Sequence, residues 1–240
     1  MNPIIGFVGR RGSGKSYQSS HNIKRCQRIF LWDPLGEHTW CPNTLTSVRQ
    51  VPAFFRWARQ HSADQYAARL VVSGEMVAEF NALCELVYAQ GDLCFGVEEV
   101  PLLVSPSSAP WQFDKVIRLG RHQNVAVVWT AQRMAEVARR LTAATDQFVL
   151  FGQTEPRDLV ALEERCGADV LRAVMDLPKY HYVVFDAVNR KLSNATKGYT
   201  NFQLVVNRTK TLRNQKVVSY STDERNDGGK PPVEPVPNES

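Results

Sequence analysis

Residues 3–16 read PIIGFVGRRGSGKS, and this stretch decides the fold. Its first half is a short apolar run beside a proline, which predicts a buried β-strand over residues 3–8. Its second half, Gly9–Ser16, matches the pattern G-x-x-x-x-G-K-[ST] and opens a stretch with helical periodicity over residues 15–25. A strand, a glycine-rich loop and a helix in this order predict a phosphate-binding loop.

The glycine-rich loop has the residue types that phosphate binding requires. Glycines allow backbone N–H groups to turn toward phosphate oxygens, and the amino end of the following helix adds a favourable dipole. Lys15 is expected to reach the β- and γ-phosphates of ATP, and the Ser16 hydroxyl to coordinate Mg²⁺. The residues predicted to hold the nucleotide here are Gly9, Gly12, Ser13, Gly14, Lys15, Ser16 and Tyr17. The loop alone leaves the reaction open, because small-molecule kinases also carry it.

A second candidate site is an acidic pair, Glu98 and Glu99, directly after the apolar run at residues 93–97. Carboxylates at the end of a buried strand beside a phosphate loop can hold Mg²⁺ through water and can deprotonate the attacking water. We assign Glu98 to the metal and Glu99 to the water, as catalytic residues together with Lys15. The alternative is a pair of solvated loop acids. A separate water-activating glutamate favours NTP hydrolysis that drives motion, since a kinase must exclude an activated water.

Three more polar side chains are candidates for the reaction centre. Gln132 follows the predicted strand 125–130, where an amide can sense the γ-phosphate or orient water. Arg118 and Arg121 precede that strand and could stabilise charge in the transition state, either within the chain or from a neighbouring subunit. For Gln132 the alternative is an ordinary loop amide, and for each arginine it is a surface salt bridge.

Short apolar runs alternate with longer amphipathic stretches through most of the chain, which is the pattern of a parallel sheet covered by helices. The runs are almost continuously apolar, as expected when helices cover both faces of the sheet. We predict strands at residues 3–8, 28–32, 69–73, 93–97, 125–130, 146–151 and 181–185, and helices at residues 15–25, 46–60, 75–90, 112–120, 133–143 and 155–174. The predicted fold class is therefore α/β: a P-loop NTPase core of the RecA-like, ASCE type, with a mostly parallel central sheet flanked by helices.

The composition is that of an ordinary globular protein, with 43% hydrophobic and 22% charged residues among 240. We expect one ATPase domain over residues 1–212. The longest apolar stretches are far shorter than the roughly 18 to 20 residues that a transmembrane helix needs, and the amino terminus lacks the pattern of a secretion signal. Five cysteines, with no C-x-x-C pair, predict reduced thiols in the core rather than disulfides or a zinc site.

The carboxyl-terminal region has a different charge from the rest of the chain. Residues 187–222 contain seven lysines and arginines and no acidic residue. Such a segment is either a phosphate-facing surface or a solubilising face near the terminus. One more strand is expected at Phe202–Val206. Residues 213–240 form a tail that is basic, then polar and rich in proline, and we expect it to be disordered from about residue 223.

Several motifs occur in the same order as in the FtsK/HerA superfamily of P-loop motor ATPases, which the sequence resembles. They are the phosphate loop, Asp33-Pro34-Leu35-Gly36-Glu37 like the family's Asp-Pro-x-Gly-Glu, the pair Glu98-Glu99, the element Gly120-Arg121, and Thr130-Ala131-Gln132-Arg133 like the family's Thr-Gln-Arg. By this resemblance Asp33 joins the nucleotide-binding residues. Two departures are notable: Glu98 stands where the family usually has aspartate, and Ala131 is inserted between the threonine and the glutamine.

Within the superfamily, a core of this size resembles the genome-packaging ATPases of membrane-containing icosahedral viruses and phages. The resemblance implies a ring, usually a hexamer, that drives double-stranded DNA of any sequence into a preformed capsid. The implied partners are capsid vertex or portal proteins. The resemblance implies no membrane span for this protein and places it in the host cytoplasm or the virion. Two alternatives stay open. One is a filamentous-phage assembly ATPase resembling the zonula occludens toxin family, whose members ordinarily carry a transmembrane helix. The other is a small-molecule P-loop kinase, which Glu99 disfavours.

Overall fold

The computed structural model describes residues 2–61, 64–72 and 74–197. The strands are β1 (Ile4–Val8), β2 (Arg28–Trp32), β3 (Asn43–Leu45), β4 (Tyr66–Leu70), β5 (Leu93–Val97), β6 (Val125–Ala131), β7 (Gln147–Phe151), β8 (His181–Asp186), β9 (Lys191–Leu192) and β10 (Thr196–Lys197). The helices are α1 (Lys15–Ile23), α2 (Val51–Gln60), α3 (Met76–Gln90), α4 (Trp111–Leu119), α5 (Arg139–Ala144), α6 (Pro156–Cys166) and α7 (Ala168–Met175).

The described strands form one sheet in the order β3-β4-β2-β5-β6-β1-β7-β8-β10, and β9 also pairs with β8. All pairs from β3 to β7 are parallel, whereas β8 is antiparallel to β7. We call the side where the parallel strands end the carboxyl edge, and the side where they begin the amino edge. The predicted α/β class with a mostly parallel sheet is confirmed.

Both faces of the sheet are covered, as the continuous apolar runs predict. In β1, Ile4 and Val8 belong to the larger core cluster, whereas Ile5 and Phe7 belong to a smaller cluster on the other face. This alternation follows from the period of two along a strand. The smaller cluster includes Ile23 of α1, so the helix that follows the phosphate loop is fixed to the sheet by apolar contacts.

β1 and β5, which carry the phosphate loop and the acidic pair, are not neighbours in the sheet. β6 lies between them, with Val8 opposite Ala131 and Val97 opposite Trp129. The carboxyl end of β6 therefore separates the loop from the acids by one strand width, about 5 Å on each side. This order places Thr130 and Gln132 between the two predicted parts of the site.

Several predicted boundaries were wrong, each for a local reason. β4 spans 66–70 instead of 69–73. Buried and half-buried residues alternate along this strand, whereas the prediction followed the continuous apolar run that begins at its last residue. The predicted helix 133–143 begins as a 3-10 turn at Met134–Glu136, and α5 starts only at Arg139. The predicted helix 155–174 is divided at Gly167, whose φ of 99° ends α6. The short strands β3, β9 and β10 were not predicted.

Other expectations concern composition and the carboxyl-terminal region. All five cysteines lie within the described residues, and each is a free, buried thiol, as predicted. Within residues 2–61, 64–72 and 74–197, no helix is long and apolar enough to cross a bilayer. The predicted strand Phe202–Val206, the domain boundary at residue 212, the tail 213–240 and the basic residues Arg208, Lys210, Arg213 and Lys216 lie outside the described residues.

Candidate nucleotide-binding site

The phosphate loop lies at the carboxyl edge, between β1 and α1. The N–H of Gly9 donates to the carbonyl of Ala131 at 3.1 Å, which fixes the start of the loop to β6. Gly14 precedes α1 with a φ of 97°, in the left-handed region that a residue without Cβ adopts at little cost. Lys15 is the first residue of α1, so the loop leads directly into the amino end of a nine-residue helix. The predicted strand, loop and helix are thus present.

Lys15 forms an ion pair with Glu99 across the carboxyl edge. The Lys15 Nζ lies 3.0 Å from the Glu99 Oε1, and the two side chains are only 7% and 14% exposed. Gln132 donates from Nε2 to the same carboxylate oxygen at 3.2 Å. The phosphate-binding lysine, the glutamate assigned to water and the amide assigned to the γ-phosphate therefore meet at one oxygen atom.

The backbone of Glu99 is in an unusual conformation. Its φ and ψ are 49° and 56°, which is the left-handed region, where a residue with a long side chain is strained. Its N–H donates to the Thr130 Oγ1 at 3.0 Å, which helps to hold this conformation. Strain of this kind persists where the surrounding structure fixes it and is frequent at functional sites. Here it turns the carboxylate of Glu99 toward Lys15 while Glu98 points elsewhere.

Glu98 is directed into a buried polar cluster, although it is adjacent to Glu99. It is 5% exposed. Its Oε2 accepts a hydrogen bond from the Thr130 hydroxyl at 2.5 Å, and its Oε1 accepts one from the Ser19 hydroxyl at 3.3 Å. The His38 Nε2 lies 2.9 Å from the same Oε1. A buried carboxylate needs such donors, because burial without partners is costly.

The residues present fit the magnesium ion that the fold class implies. Ser16 lies in the first turn of α1, and Glu98 is a buried carboxylate reached from that same helix through Ser19. Among the described residues, no group of three or more His, Cys, Asp or Glu side chains is placed to bind a metal. Mg²⁺ usually takes only one or two protein oxygens and completes its shell with phosphates and water. Ser16 supplies one such oxygen, and Glu98 is the carboxylate that would bind a water of the shell.

Asp33 was predicted to bind the nucleotide, and it is fully buried at 0% exposure. Its Oδ1 accepts from the N–H of Glu37 and its Oδ2 from the N–H of His38, both at 2.9 Å. The guanidinium of Arg69 lies 3.0 Å from Oδ2. These contacts give Asp33 an indirect part at most: it closes the turn 33–38 and fixes the backbone of His38.

His38 is 2% exposed and lies between acidic groups. Burial lowers the pKa of His38, but the hydrogen bond to Glu98 and the negative charges of Glu98, Asp33 and Glu37 outweigh burial and raise the pKa above its usual value. Its Nδ1 lies 3.1 Å from the Trp40 Nε1 and 3.1 Å from the Ser20 Oγ. Every nitrogen of the ring thus has a polar neighbour.

A cavity of about 520 Å³ opens beside the loop. Most of the residues predicted to hold the nucleotide line it, namely Gly12, Gly14, Lys15, Ser16 and Tyr17. Glu99 and Gln132 line it as well, so the phosphate-binding and catalytic candidates share one space. The Tyr17 side chain is 58% exposed at its rim. Of the remaining predicted residues, Gly9 is buried at the end of β1, and Ser13 lines a second cavity.

The second cavity, about 170 Å³, also borders the loop. Its walls include Ser13, Phe151 at the end of β7 and Tyr180 just before β8. Tyr180 has a φ of 66°, which is uncommon for a bulky residue, and its side chain is 50% exposed. The cavity therefore offers two aromatic rings next to the phosphate loop.

Arg118 and Arg121 do not lie near this loop. Arg118 is in the last turn of α4, 3.0 Å from Asp114, and Arg121 follows in an exposed 3-10 turn before β6. β6 runs seven residues from there to the carboxyl edge, or about 20 Å at 3.3 Å per residue. That is further than an arginine side chain reaches. The alternative in which either arginine acts within its own chain is therefore not supported. Arg118 forms the surface salt bridge that was the other expectation for it, and action on a neighbouring subunit stays a prediction for both arginines.

Three residues of the site were missed by the sequence analysis as contributors: Ser19, His38 and Thr130. Thr130 lies inside a quoted motif, and His38 directly follows another. Their types, a hydroxyl and an imidazole among apolar or acidic residues, are the signal in the sequence. Ser19 lies one helical turn after Ser16, which places both hydroxyls on the same side of α1. That spacing was also visible in the sequence.

A mostly parallel α/β sheet and a glycine-rich loop that leads into a helix are the features of a P-loop NTPase, and here a glutamate pair lies across one strand from that loop. No protein-family model and no curated protein matches the sequence significantly. Among solved structures, the chain is similar to the genome packaging NTPase B204 from Sulfolobus turreted icosahedral virus 2, with 16% identity, a TM-score of 0.70 and coverage of 83% of this chain and 99% of the other.

Two further solved structures share the fold. The DNA-packaging ATPase B204 from Sulfolobus turreted icosahedral virus has 16% identity and a TM-score of 0.68, covering 83% of this chain and 100% of the other. The bacterial conjugative coupling protein TrwB has 10% identity and a TM-score of 0.56, covering 88% and 87%. At these identities the likeness shows a shared fold, and it is the P-loop ATPase fold that the sequence resemblance implied.

Proposed function

We propose that this protein hydrolyses ATP to move double-stranded DNA, as a genome-packaging motor does. The observation that carries the proposal is the meeting of Lys15, Gln132 and Glu99 at one carboxylate oxygen beside the phosphate loop. A likeness in fold to viral packaging NTPases, over almost their entire length, supports the choice of a motor over other ATPases.

ATP binding would separate Lys15 from Glu99. The β- and γ-phosphates carry more negative charge than one carboxylate, so Lys15 exchanges its partner and leaves Glu99. The Glu99 oxygen is then able to accept a proton from the attacking water. Gln132, which contacts the same oxygen, would orient that water or the γ-phosphate. An ion pair with Lys15 would keep Glu99 from acting as a base, and transfer of Lys15 to the phosphates of ATP would release the carboxylate.

Ser16 would hold Mg²⁺ directly, and Glu98 would hold it through water. When bound, Mg²⁺ neutralises charge on the β- and γ-phosphate oxygens. Glu98 is held by its donors away from Lys15, which leaves the acidic pair with two distinct tasks. The second cavity would receive the base, with Phe151 and Tyr180 as its aromatic walls.

The ring is part of the same proposal. Arg118 and Arg121 lie too far from their own loop, so a second copy of the chain would have to bring one of them to the nucleotide. Mixing an Arg118→Ala or Arg121→Ala variant with a Glu99→Gln variant should restore some turnover, because mixed rings contain interfaces with an intact arginine and an intact glutamate. Activity that is independent of protein concentration, with no rescue on mixing, would contradict the ring.

DNA binding is proposed from the sequence of the basic segment, residues 187–222. Several lysines and arginines that neutralise phosphates give an affinity that falls steeply with salt and does not depend on base sequence. A combined Arg208→Gln, Lys210→Gln, Arg213→Gln and Lys216→Gln variant should therefore bind duplex DNA more weakly, with a shallower salt dependence. Unchanged affinity and salt dependence would mean that the segment contacts a capsid vertex or portal protein or serves as a solubilising face. Lys24, Arg139 and Arg140 would then be the next positions to test for DNA binding.

The test of the whole proposal is steady-state ATP hydrolysis with and without double-stranded DNA. A motor should hydrolyse ATP with Mg²⁺ and respond to DNA with increased turnover. Hydrolysis that duplex DNA leaves unchanged would favour an assembly ATPase of the zonula occludens type. Phosphate transfer to a small molecule, in place of release to water, would favour the kinase.

A further inference from the structure

His38 lies beside the proposed metal site but has no part in the proposed hydrolysis steps. Its ring is 2% exposed and contacts Glu98, the residue assigned to the metal, through Nε2 at 2.9 Å. The other ring nitrogen, Nδ1, lies 3.1 Å from the Trp40 indole nitrogen. Because an indole and a carboxylate lie against its two nitrogens, only one tautomer of the neutral ring fits both neighbours.

The contact with Trp40 determines where the ring carries its proton. An indole N–H can only donate, so the Nδ1 that faces it is an acceptor. The proton of the neutral ring is then on Nε2, which faces the Glu98 Oε1. In the charged ring Nε2 carries a proton as well. In either protonation state the nitrogen that lies 2.9 Å from the Glu98 Oε1 therefore carries a proton, and the contact does not depend on titration.

The surroundings of His38 are built to place this donor. Asp33, with no exposed surface, binds the N–H of His38 at 2.9 Å, and Arg69 fixes Asp33 from the other side at 3.0 Å. Arg69 also donates to the carbonyl of Gly36 at 3.0 Å, within the same turn. A buried ion pair is weak evidence for stability on its own. Here it fixes the backbone from which the imidazole reaches Glu98.

We propose that His38 is a positioning residue that sets the orientation of the Glu98 carboxylate for the metal. This proposal rests on the metal role that the proposed function gives Glu98. Glutamate has one more rotatable bond than aspartate, so its carboxylate must be restrained to present a fixed lone pair. The hydroxyls of Ser19 and Thr130 donate to it, and the His38 Nε2 lies 2.9 Å from its Oε1. Of these three groups, His38 is the one that approaches from the turn after β2. Hydrogen-bonded partners of metal ligands typically change metal affinity by 10- to 100-fold.

Two substitutions of His38 separate this role from simple packing. In His38→Gln the side-chain amide nitrogen can occupy the place of Nε2, so donation to Glu98 is kept. In His38→Asn the shorter amide occupies the place of Nδ1, so Glu98 loses its donor. Both replace the ring with a smaller amide, and both therefore create a comparable loss of packing. His61→Asn, an exposed position before β4, is the matched control.

The measurement is the affinity of the full-length chain for a fluorescent ADP, with and without Mg²⁺. We expect Mg²⁺ to strengthen binding in the wild type, in His61→Asn and in His38→Gln to a similar extent. In His38→Asn the strengthening should fall by about 10-fold or more, while affinity without Mg²⁺ stays unchanged. A His38→Asn variant with the full Mg²⁺ effect overturns the proposal. So does an equal loss of metal-free affinity in both His38 variants, which would indicate a structural role only.

A second measurement does not depend on nucleotide or metal. Nitrogen-15 NMR of the histidine rings, with the His38 signal assigned from the His38→Gln spectrum, should show a protonated Nε2. A ring protonated at Nδ1 alone would overturn the proposal even in an active protein. A wild type whose ADP affinity ignores Mg²⁺ would overturn it as well, together with the metal role of Glu98. Normal Mg²⁺ dependence without any effect of DNA would contradict only the motor function.

Discussion

The two edges of the sheet hold polar residues under opposite conditions. At the carboxyl edge Lys15, Asp33 and Glu98 are 6%, 0% and 5% exposed, and their charges are paired within the fold. At the amino edge Arg28 pairs with Asp92 and Asp64, whose side chains are 57% and 89% exposed. The same residue types are thus buried at one edge and solvated at the other.

This difference in burial indicates that the carboxyl edge is the functional edge of the sheet. Exposed ion pairs contribute about 0 to 1 kcal/mol and can be exchanged with little effect. Buried ones seldom stabilise a fold more than apolar residues of the same size would, because desolvation offsets the attraction. Buried charge at the carboxyl edge is therefore explained by chemistry, and charge at the amino edge by solubility and local order. Parallel sheets generally bind ligands at this same edge.

The largest expected difference between the edges is the effect of removing one basic residue from each. Lys15→Ala should reduce ATP hydrolysis by at least about 100-fold, because a charge fixed on the transferring phosphates is lost. Arg28→Ala should leave the rate within about twofold, because it removes only an exposed pair. Phosphate release at saturating ATP measures both. A Lys15→Ala variant with normal turnover would contradict the assignment of the loop.

The second prediction compares two acids with the same backbone conformation. Glu99 and Asp92 both have a positive φ, 49° and 55°, but they lie at opposite edges. Glu99→Gln keeps size and hydrogen bonding and cannot accept a proton, so hydrolysis should fall about 10²- to 10⁴-fold with ATP binding retained. Asp92→Asn should have little effect on the rate, since asparagine tolerates this conformation. Equal rates for Glu99→Gln and the wild type would move the base elsewhere, with Glu37 the next candidate.

The sequence predicted the parts of this comparison that depend on local pattern. The apolar run before Gly9, the glycines of the loop and the acids after β5 are each contiguous, and their place at one edge follows from a parallel sheet. Element boundaries were predicted less well where a strand alternates, as in β4, or where a glycine interrupts a helix, as at Gly167. The bounds of β4 depend on which neighbouring residues are buried, and the end of α6 depends on the backbone angle of one glycine.

The contacts around Glu98 were not predicted, because they join distant parts of the chain. Ser19 and Glu98 are 79 residues apart, and Thr130 and Glu98 are 32 apart. The family resemblance assigned Asp33 a direct part in nucleotide binding, whereas its oxygens contact Glu37, His38 and Arg69. Motif spacing identifies which residues matter, but three-dimensional packing decides which atoms they touch.

The smallest expected effect concerns stability, and it compares one ion pair from each edge. Arg69 is 14% exposed and pairs with the fully buried Asp33, so Arg69→Ala leaves a buried carboxylate without its cation and should lower the free energy of unfolding by about 3 kcal/mol. Arg28 is 30% exposed and its partners are mostly solvated, so Arg28→Ala should lower it by less than about 1 kcal/mol. Urea unfolding followed by fluorescence measures both. Equal losses would mean that solvent reaches Asp33, and the turn 33–38 could not then hold His38 as firmly as the positioning of Glu98 requires.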